Sequence, residues 1–130
     1  MYYFSYASNL NQKQMRERCP DSKHMFRATL PNYKLVFVGW SRQLRGGKAS
    51  IRLFRGEKVP GAIYEVSEQC LRKLDKYESS YDRLKVTVFN EDGVAIEAIT
   101  YIKGGQPEDT KPSPEYLSII QQGYRDWGIV

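Results

Sequence analysis

The sequence predicts an α+β fold, a curved or barrel-like sheet of about six strands with short helices at its flanks. Two observations carry this. Strand-like segments mostly follow one another and are joined by turn residues, and only three short stretches read as helix.

In chain order, Tyr2 to Tyr6 is an aromatic strand that changes character at Ala7-Ser8-Asn9. A short polar helix is expected from about Leu10 to Arg18, stopped by Pro20 and Asp21. Residues 25 to 30 and 33 to 40 read as strands joined at Pro31-Asn32, the second rich in strand formers over Lys34-Leu35-Val36-Phe37-Val38. The hydrophilic segment Ser41 to Lys48 ends at Gly46-Gly47, which predicts the most flexible point of the chain and a mobile flap.

Strands follow at 49 to 54 and 59 to 66, with Gly61 marking a place where a neighbour excludes a side chain. Ser67 is a good N-cap for a helix from Glu68 to about Glu78. Residues 81 to 90 and 94 to 102 form a hairpin about Asp92-Gly93, with Leu84, Val86 and Val88 alternating on one arm. After the loop GGQPEDTKP, Ser113 at the N-cap and Pro114 at the first position begin a helix to about Trp127.

The 130 residues suit one compact domain, 1–130. No segment approaches the ~20 apolar residues of a membrane span, and MYYFSYASNL lacks the regions of a secretory signal, so a cytoplasmic protein is expected. Cys19 and Cys70 do not make a disulfide framework and have no neighbours at metal-ligand spacing, so both are read as reduced thiols. His24 is the only histidine, which weighs against histidine zinc sites and against a Ser-His-Asp triad. Proton chemistry, if present, falls to a carboxylate, a lysine or a tyrosine.

The formal net charge is +5, and Arg42, Arg45, Lys48, Arg52, Arg55 and Lys58 concentrate positive charge in one segment. That segment reads as a solvated face, a nucleic-acid patch, or a rim that attracts a small acidic substrate. Gly47-Lys48 is not the end of a P-loop, because Arg42 stands where its first glycine belongs and Ala49 follows the lysine.

Two constellations could carry chemistry. In the helix after Ser67, the stripe of Leu71 and Leu74 continues onto Glu78, which places a carboxylate on the core side in the last turn. Desolvation and the negative end of the helix dipole both raise its pKa toward neutrality, so that the group can take a proton and give it back, as general acid/base work requires; the structural alternative is an ion pair with Arg83 or Lys85. Asp75 and Glu68 face elsewhere and read as solvated. At Ser8-Asn9, a strand that gives way to a helix exposes unpaired N–H groups suited to an anion, unless the two residues are simply a helix cap.

These residues resemble the γ-glutamylcyclotransferase-like family, which includes γ-glutamylamine cyclotransferases and AIG2-like proteins. Tyr3-Phe4-Ser5-Tyr6-Ala7-Ser8-Asn9-Leu10 is similar to its YFxYGSNL signature, and Val59 to Val66 to its V-x-G strand. Leu74-Asp75-Lys76-Tyr77-Glu78 with Tyr81 and Arg83, and Tyr101 with Pro112-Ser113-Pro114-Glu115-Tyr116, are similar to its two later motifs. The resemblance implies a small mixed barrel and a reaction that releases an amine or amino acid from a γ-glutamyl amide as the glutamyl part closes to 5-oxoproline.

It also implies Glu78 as the catalytic acid/base, Tyr3 through Leu10 as the substrate cradle, and Tyr81 and Tyr116 as substrate contacts. No metal or cofactor is implied, and the expected partner is a small γ-glutamyl substrate rather than nucleic acid or membrane. The alternative is a non-catalytic protein that binds an acidic metabolite or a protein carboxylate in the same pocket. One departure is Ala7, where the family usually has glycine; a positive φ there would strain alanine, and a negative φ would only narrow the cradle. The arginine-rich loop is expected to close over the site and help select the leaving amine through Arg42 and Arg45.

Overall fold

The structure, a computed structural model, describes residues 1–105 and 107–129; Gln106 of the loop before the last helix lies outside the described residues. Five strands, β1 (Tyr2–Ser5), β2 (Lys23–Ser41), β3 (Gly46–Glu65), β4 (Tyr81–Asn90) and β5 (Ala95–Lys103), close a barrel in the order β1-β3-β2-β4-β5. All neighbours are antiparallel except β1 and β5, which meet in parallel at Tyr3 and Ile99. Helices α1 (Gln12–Arg18), α2 (Glu68–Tyr77) and α3 (Pro114–Trp127) flank it.

The count of five rather than about six has a local cause. Segments 25 to 30 and 33 to 40 run on as one strand, as do 49 to 54 and 59 to 66, because the β2–β3 ladder bends without breaking. Its register jumps from Pro31 opposite Lys58 to Tyr33 opposite Leu53. Asn32 takes the bend at φ 63°, and its Oδ1 accepts the Gly56 N–H at 3.1 Å. A bulge of this kind lets one long hairpin wrap the barrel and then extend past it.

The expected flap at Gly46-Gly47 is overturned. The turn of the hairpin is Arg42 to Arg45, and both glycines are buried in β3. The Gly47 N–H donates to Lys111 O at 2.9 Å, and a side-chain carbon on Gly47 would lie 2.0 Å from Thr110 O. The glycines are there for close packing against the 110–113 segment, not for motion. At Gly61 the expected exclusion is real: a Cβ would sit 2.3 Å from Ser5 O and 2.7 Å from the Phe4 ring.

Helix starts follow their capping signals. The Ser67 hydroxyl accepts the Cys70 N–H at 3.0 Å and the Ser113 hydroxyl accepts the Tyr116 N–H at 3.2 Å. The first helix begins later than expected, at Gln12 behind an Asn11 cap, because Ser8–Leu10 winds as a separate 3-10 turn. Side chains of β1 serve two cores: Phe4 goes into the barrel with Leu30, Val59 and Val88, and Tyr3 goes beneath the helices with Met15, Leu71 and Leu74. Cys19, at the end of α1, and Cys70, in the first turn of α2, are joined as a disulfide with Cα atoms 5.5 Å apart. This corrects the reduced-thiol expectation; the pairing comes from the docking of two helices 51 residues apart in sequence, a distance at which sequence spacing carries no signal. No described helix is long and apolar enough to cross a membrane.

Candidate active site

Glu78 caps the C-terminus of α2, its N–H bonded to Leu74 O at 2.8 Å. Leu71 and Leu74 are fully buried, and the stripe they define carries the Glu78 carboxylate into a pocket with 18% of the side chain exposed. That pocket is lined by Tyr3, Ser5, Tyr6, Ala7, Ser8, Asn9, Ala49, Glu78, Tyr81, Tyr101 and Tyr116, and holds about 30 Å³. Burial pushes the Glu78 carboxyl above the usual carboxylate range, and the charges of Arg18 and Lys48 oppose the rise. Neither expected alternative partner pairs with Glu78 among the described residues: Arg83 is engaged elsewhere, at 2.7 Å from Asp75 and 3.2 Å from Glu68, and Lys85 forms no ion pair with it. Asp75, read as solvated, is half-buried and also accepts the Tyr101 hydroxyl at 2.7 Å.

Of the sequence-expected cradle, Tyr3, Ser5, Tyr6, Ala7, Ser8 and Asn9 line the pocket with Tyr81 and Tyr116. Phe4 and Leu10 do not: both side chains are fully buried away from it. Strand alternation sends Phe4 to the barrel core opposite Tyr3 and Ser5, and Leu10 closes the 3-10 turn against α3, where it meets Gly123. Ala7 sits at φ −136°, so its methyl narrows the turn without requiring a left-handed backbone.

Asn9 is committed to scaffolding. Its Nδ2 donates to the Tyr3 hydroxyl at 3.0 Å, and its Oδ1 accepts from Gln14 and from Arg18, each at 3.1 Å. The Tyr3 oxygen, satisfied as an acceptor, keeps its own proton to donate. Tyr116 is in the same condition, accepting the Ala49 N–H at 3.2 Å, while the Tyr81 hydroxyl donates to Ala49 O. The Ser5 hydroxyl, 1% exposed, is a buried side-chain oxygen with no hydrogen-bond partner among the described residues. Burial raises the phenols of Tyr3, Tyr6, Tyr81 and Tyr101, and pushes Tyr116 up to about 12, so all remain neutral donors near pH 7. The pocket therefore offers several fixed O–H donors and one carboxyl group with a raised pKa.

Sequence reasoning missed three participants, Ala49, Tyr101 and Arg18, and had Lys48 only as one charge of the basic segment. Ala49 and Tyr101 line the pocket, and Arg18 and Lys48 flank Glu78. Arg18 Nη1 lies 3.9 Å from Glu78 Oε1, and its guanidinium covers the Tyr77 ring at 4.4 Å. The one signal for Arg18 was its place in the last turn of the helix that follows the cradle. Arg42 and Arg45 are exposed at the hairpin turn and are not among the lining residues.

Known proteins share this fold. A human γ-glutamylcyclotransferase is 30% identical over 135 residues, covering 98% of this chain and 71% of the human protein. A solved structure of a γ-glutamyl cyclotransferase superposes with a TM-score of 0.94 at 28% identity, over 99% of this chain and 80% of that one. An AIG2-like protein from Mus musculus gives a TM-score of 0.64 at 26% identity, over 89% of this chain and 81% of that one. A family model described as gamma-glutamyl cyclotransferase, AIG2-like, matches residues 3–125, and with that match the chain belongs to this family and is an enzyme of its type.

Proposed function

We propose that the protein cyclises a γ-glutamyl amide to 5-oxoproline and releases the amine, with Glu78 as the acid/base. The observation that carries this is the Glu78 carboxyl, desolvated yet flanked by Arg18 and Lys48, as the sole carboxyl group among the pocket-lining residues. The substrate's α-ammonium gives a proton to the Glu78 carboxylate. The free amine attacks the γ-carbonyl carbon, the new C–N bond closes the five-membered ring, the old amide C–N bond breaks as Glu78 returns its proton to the departing nitrogen, and the second proton shed by the ring nitrogen passes by way of the regenerated carboxylate to the released amine, which leaves as an ammonium. No water is consumed, and atoms and charge balance.

Attack within one molecule gains from high effective concentration only if the glutamyl chain is held curled. The Ala7-Ser8-Asn9 turn is suited to its α-carboxylate, because the first N–H groups of a 3-10 turn lack intrahelical partners. The Ser5, Tyr3 and Tyr116 hydroxyls supply O–H donors for the oxygen that gains charge as the ring closes. Purified protein incubated with a panel of γ-glutamyl amides tests the reaction type. The expected result is 5-oxoproline and free amine in equal amounts; glutamate in place of 5-oxoproline would mean hydrolysis, and no product would favour a binding protein.

A further inference from the structure

A covalent bond joins the helix that carries Arg18 to the helix that ends in Glu78. Cys19 caps the C-terminus of α1, one residue past Arg18, and its disulfide partner Cys70 lies in the first turn of α2. The bond therefore holds a cation near the carboxylate, Arg18 Nη1 lying 3.9 Å from Glu78 Oε1. Both cysteines are fully buried, in a cluster with Tyr3, Met15, Leu71 and Leu74. The start of α1 is held separately: the Asn11 side chain donates to Ile119 O and the Gln12 N–H donates to Asp126. At the disulfide end the remaining links are weaker, the Arg18 guanidinium on the Tyr77 ring and on Asn9 Oδ1, and the Ser67 hydroxyl on Asp21. Asp21 also lies 3.3 Å from Cys19 Sγ and is exposed, as are Pro20 and Ser67, so the sulfur is one contact from solvent.

We propose that the Cys19–Cys70 disulfide is a redox control on the site: reduced by a dithiol, it lets the end of α1 part from α2, carries Arg18 away from Glu78 and lowers activity at neutral pH. The loss of activity rests on the cyclotransferase reading of the pocket; the change around Glu78 does not. One thiolate of the reductant attacks a sulfur of the bond to give a mixed disulfide, and its second thiol closes the reductant's own disulfide, so two electrons and two protons end on Cys19 and Cys70. Two thiols need van der Waals separation where a disulfide needs only a bond, and in a cluster this closely packed the space comes from movement of the helices. The charges that Glu78 feels are Arg18 from α1 and Lys48 from β3, both of which favour the carboxylate. Tyr3 of β1, Tyr6 beyond its end, Tyr81 of β4, Tyr101 of β5 and Tyr116 of α3 face the same pocket as neutral phenols. With Arg18 displaced, Lys48 alone opposes the effect of burial, the carboxyl holds its proton to higher pH, and less of it is available as a base. The thiol–disulfide poise around the protein then sets its activity, full in an oxidising setting and weak in a reducing one.

The test compares oxidised wild type with protein reduced by dithiothreitol, each state confirmed by thiol count, and reads kcat/KM for 5-oxoproline release against pH. Reduction should move the acidic midpoint up by about one pH unit, and reoxidation should bring it back. Cys19→Ser with Cys70→Ser should match the reduced state and ignore the reductant. Arg18→Met, whose midpoint already lies high, should show no further movement on reduction, which separates a route through Arg18 from general loosening. An unmoved midpoint in fully reduced wild type overturns the proposal, as does a shift that persists in Arg18→Met. A bond that opens only as far-ultraviolet circular dichroism is lost also overturns it, because the disulfide would then do no more than hold the fold. Titration of the Glu78 carboxyl carbon by NMR in the two redox states gives the midpoints without substrate. Absence of 5-oxoproline in both states would thus remove the cyclotransferase reading, while the NMR midpoints still decide whether the disulfide acts on Glu78.

Discussion

Glu78 is placed by helical phase alone, two leucines setting a stripe whose next position is a carboxylate, so its burial is legible in the sequence. Its electrostatic environment is not, because Arg18 and Lys48 come from segments 60 and 30 residues away in sequence, and phase within one helix says nothing about them. That environment makes a pH prediction. On the proposed mechanism Glu78 is ionised in the free enzyme to take the first proton, so kcat/KM should fall as pH drops through its raised pKa. The Arg18 charge opposes the rise, so Arg18→Met should move the acidic midpoint of the kcat/KM profile to higher pH. Arg18→Lys should bring it part of the way back. A profile unmoved by Arg18→Met would mean that the 3.9 Å pair has no influence on the catalytic proton.

At the scale of elements, signals that act within a few residues are the legible ones. The Ser67 and Ser113 caps, the β4–β5 hairpin and the exclusion at Gly61 all stand as the sequence implies. Features that depend on a distant neighbour are not legible in this way. Gly46-Gly47 looks flexible until the 110–113 segment is packed against it, and Cys19 and Cys70 look unpaired until α1 docks on α2. Asn32 reads as a turn between two strands, yet its side chain bonds Gly56 across a continuous ladder. Gly61 is the element most open to test, since it lets β3 lie against the last residues of β1, which lead into the cradle. Gly61→Ala forces a carbon into Ser5 O and the Phe4 ring and should cost about 1–3 kcal/mol in denaturant unfolding. A loss smaller than a few tenths would show that β1 moves aside easily.

Across the whole molecule, the topology could not be derived from pattern: the barrel closes only because β1 inserts between β3 and β5, parallel to the latter. That insertion gathers the site. Tyr3 and Ser5 come from β1, Ala49 from β3, Tyr81 from β4, Tyr101 from β5, Tyr116 from α3, and Glu78 from the end of α2. Four ordered motifs resembling one family supplied most of this set, and the structure removed Phe4 and Leu10 from it by strand alternation and by the packing of the 3-10 turn. The central claim is that one carboxyl group in this pocket carries the proton from the attacking nitrogen to the departing one. Its most direct test is the rate of 5-oxoproline release by Glu78→Gln, an isosteric change that keeps the pocket's shape, beside the wild type on the best γ-glutamyl amide. The expected result is a folded protein with turnover lowered by about 10²–10⁴-fold; turnover within a few-fold of wild type would rule out this role for Glu78.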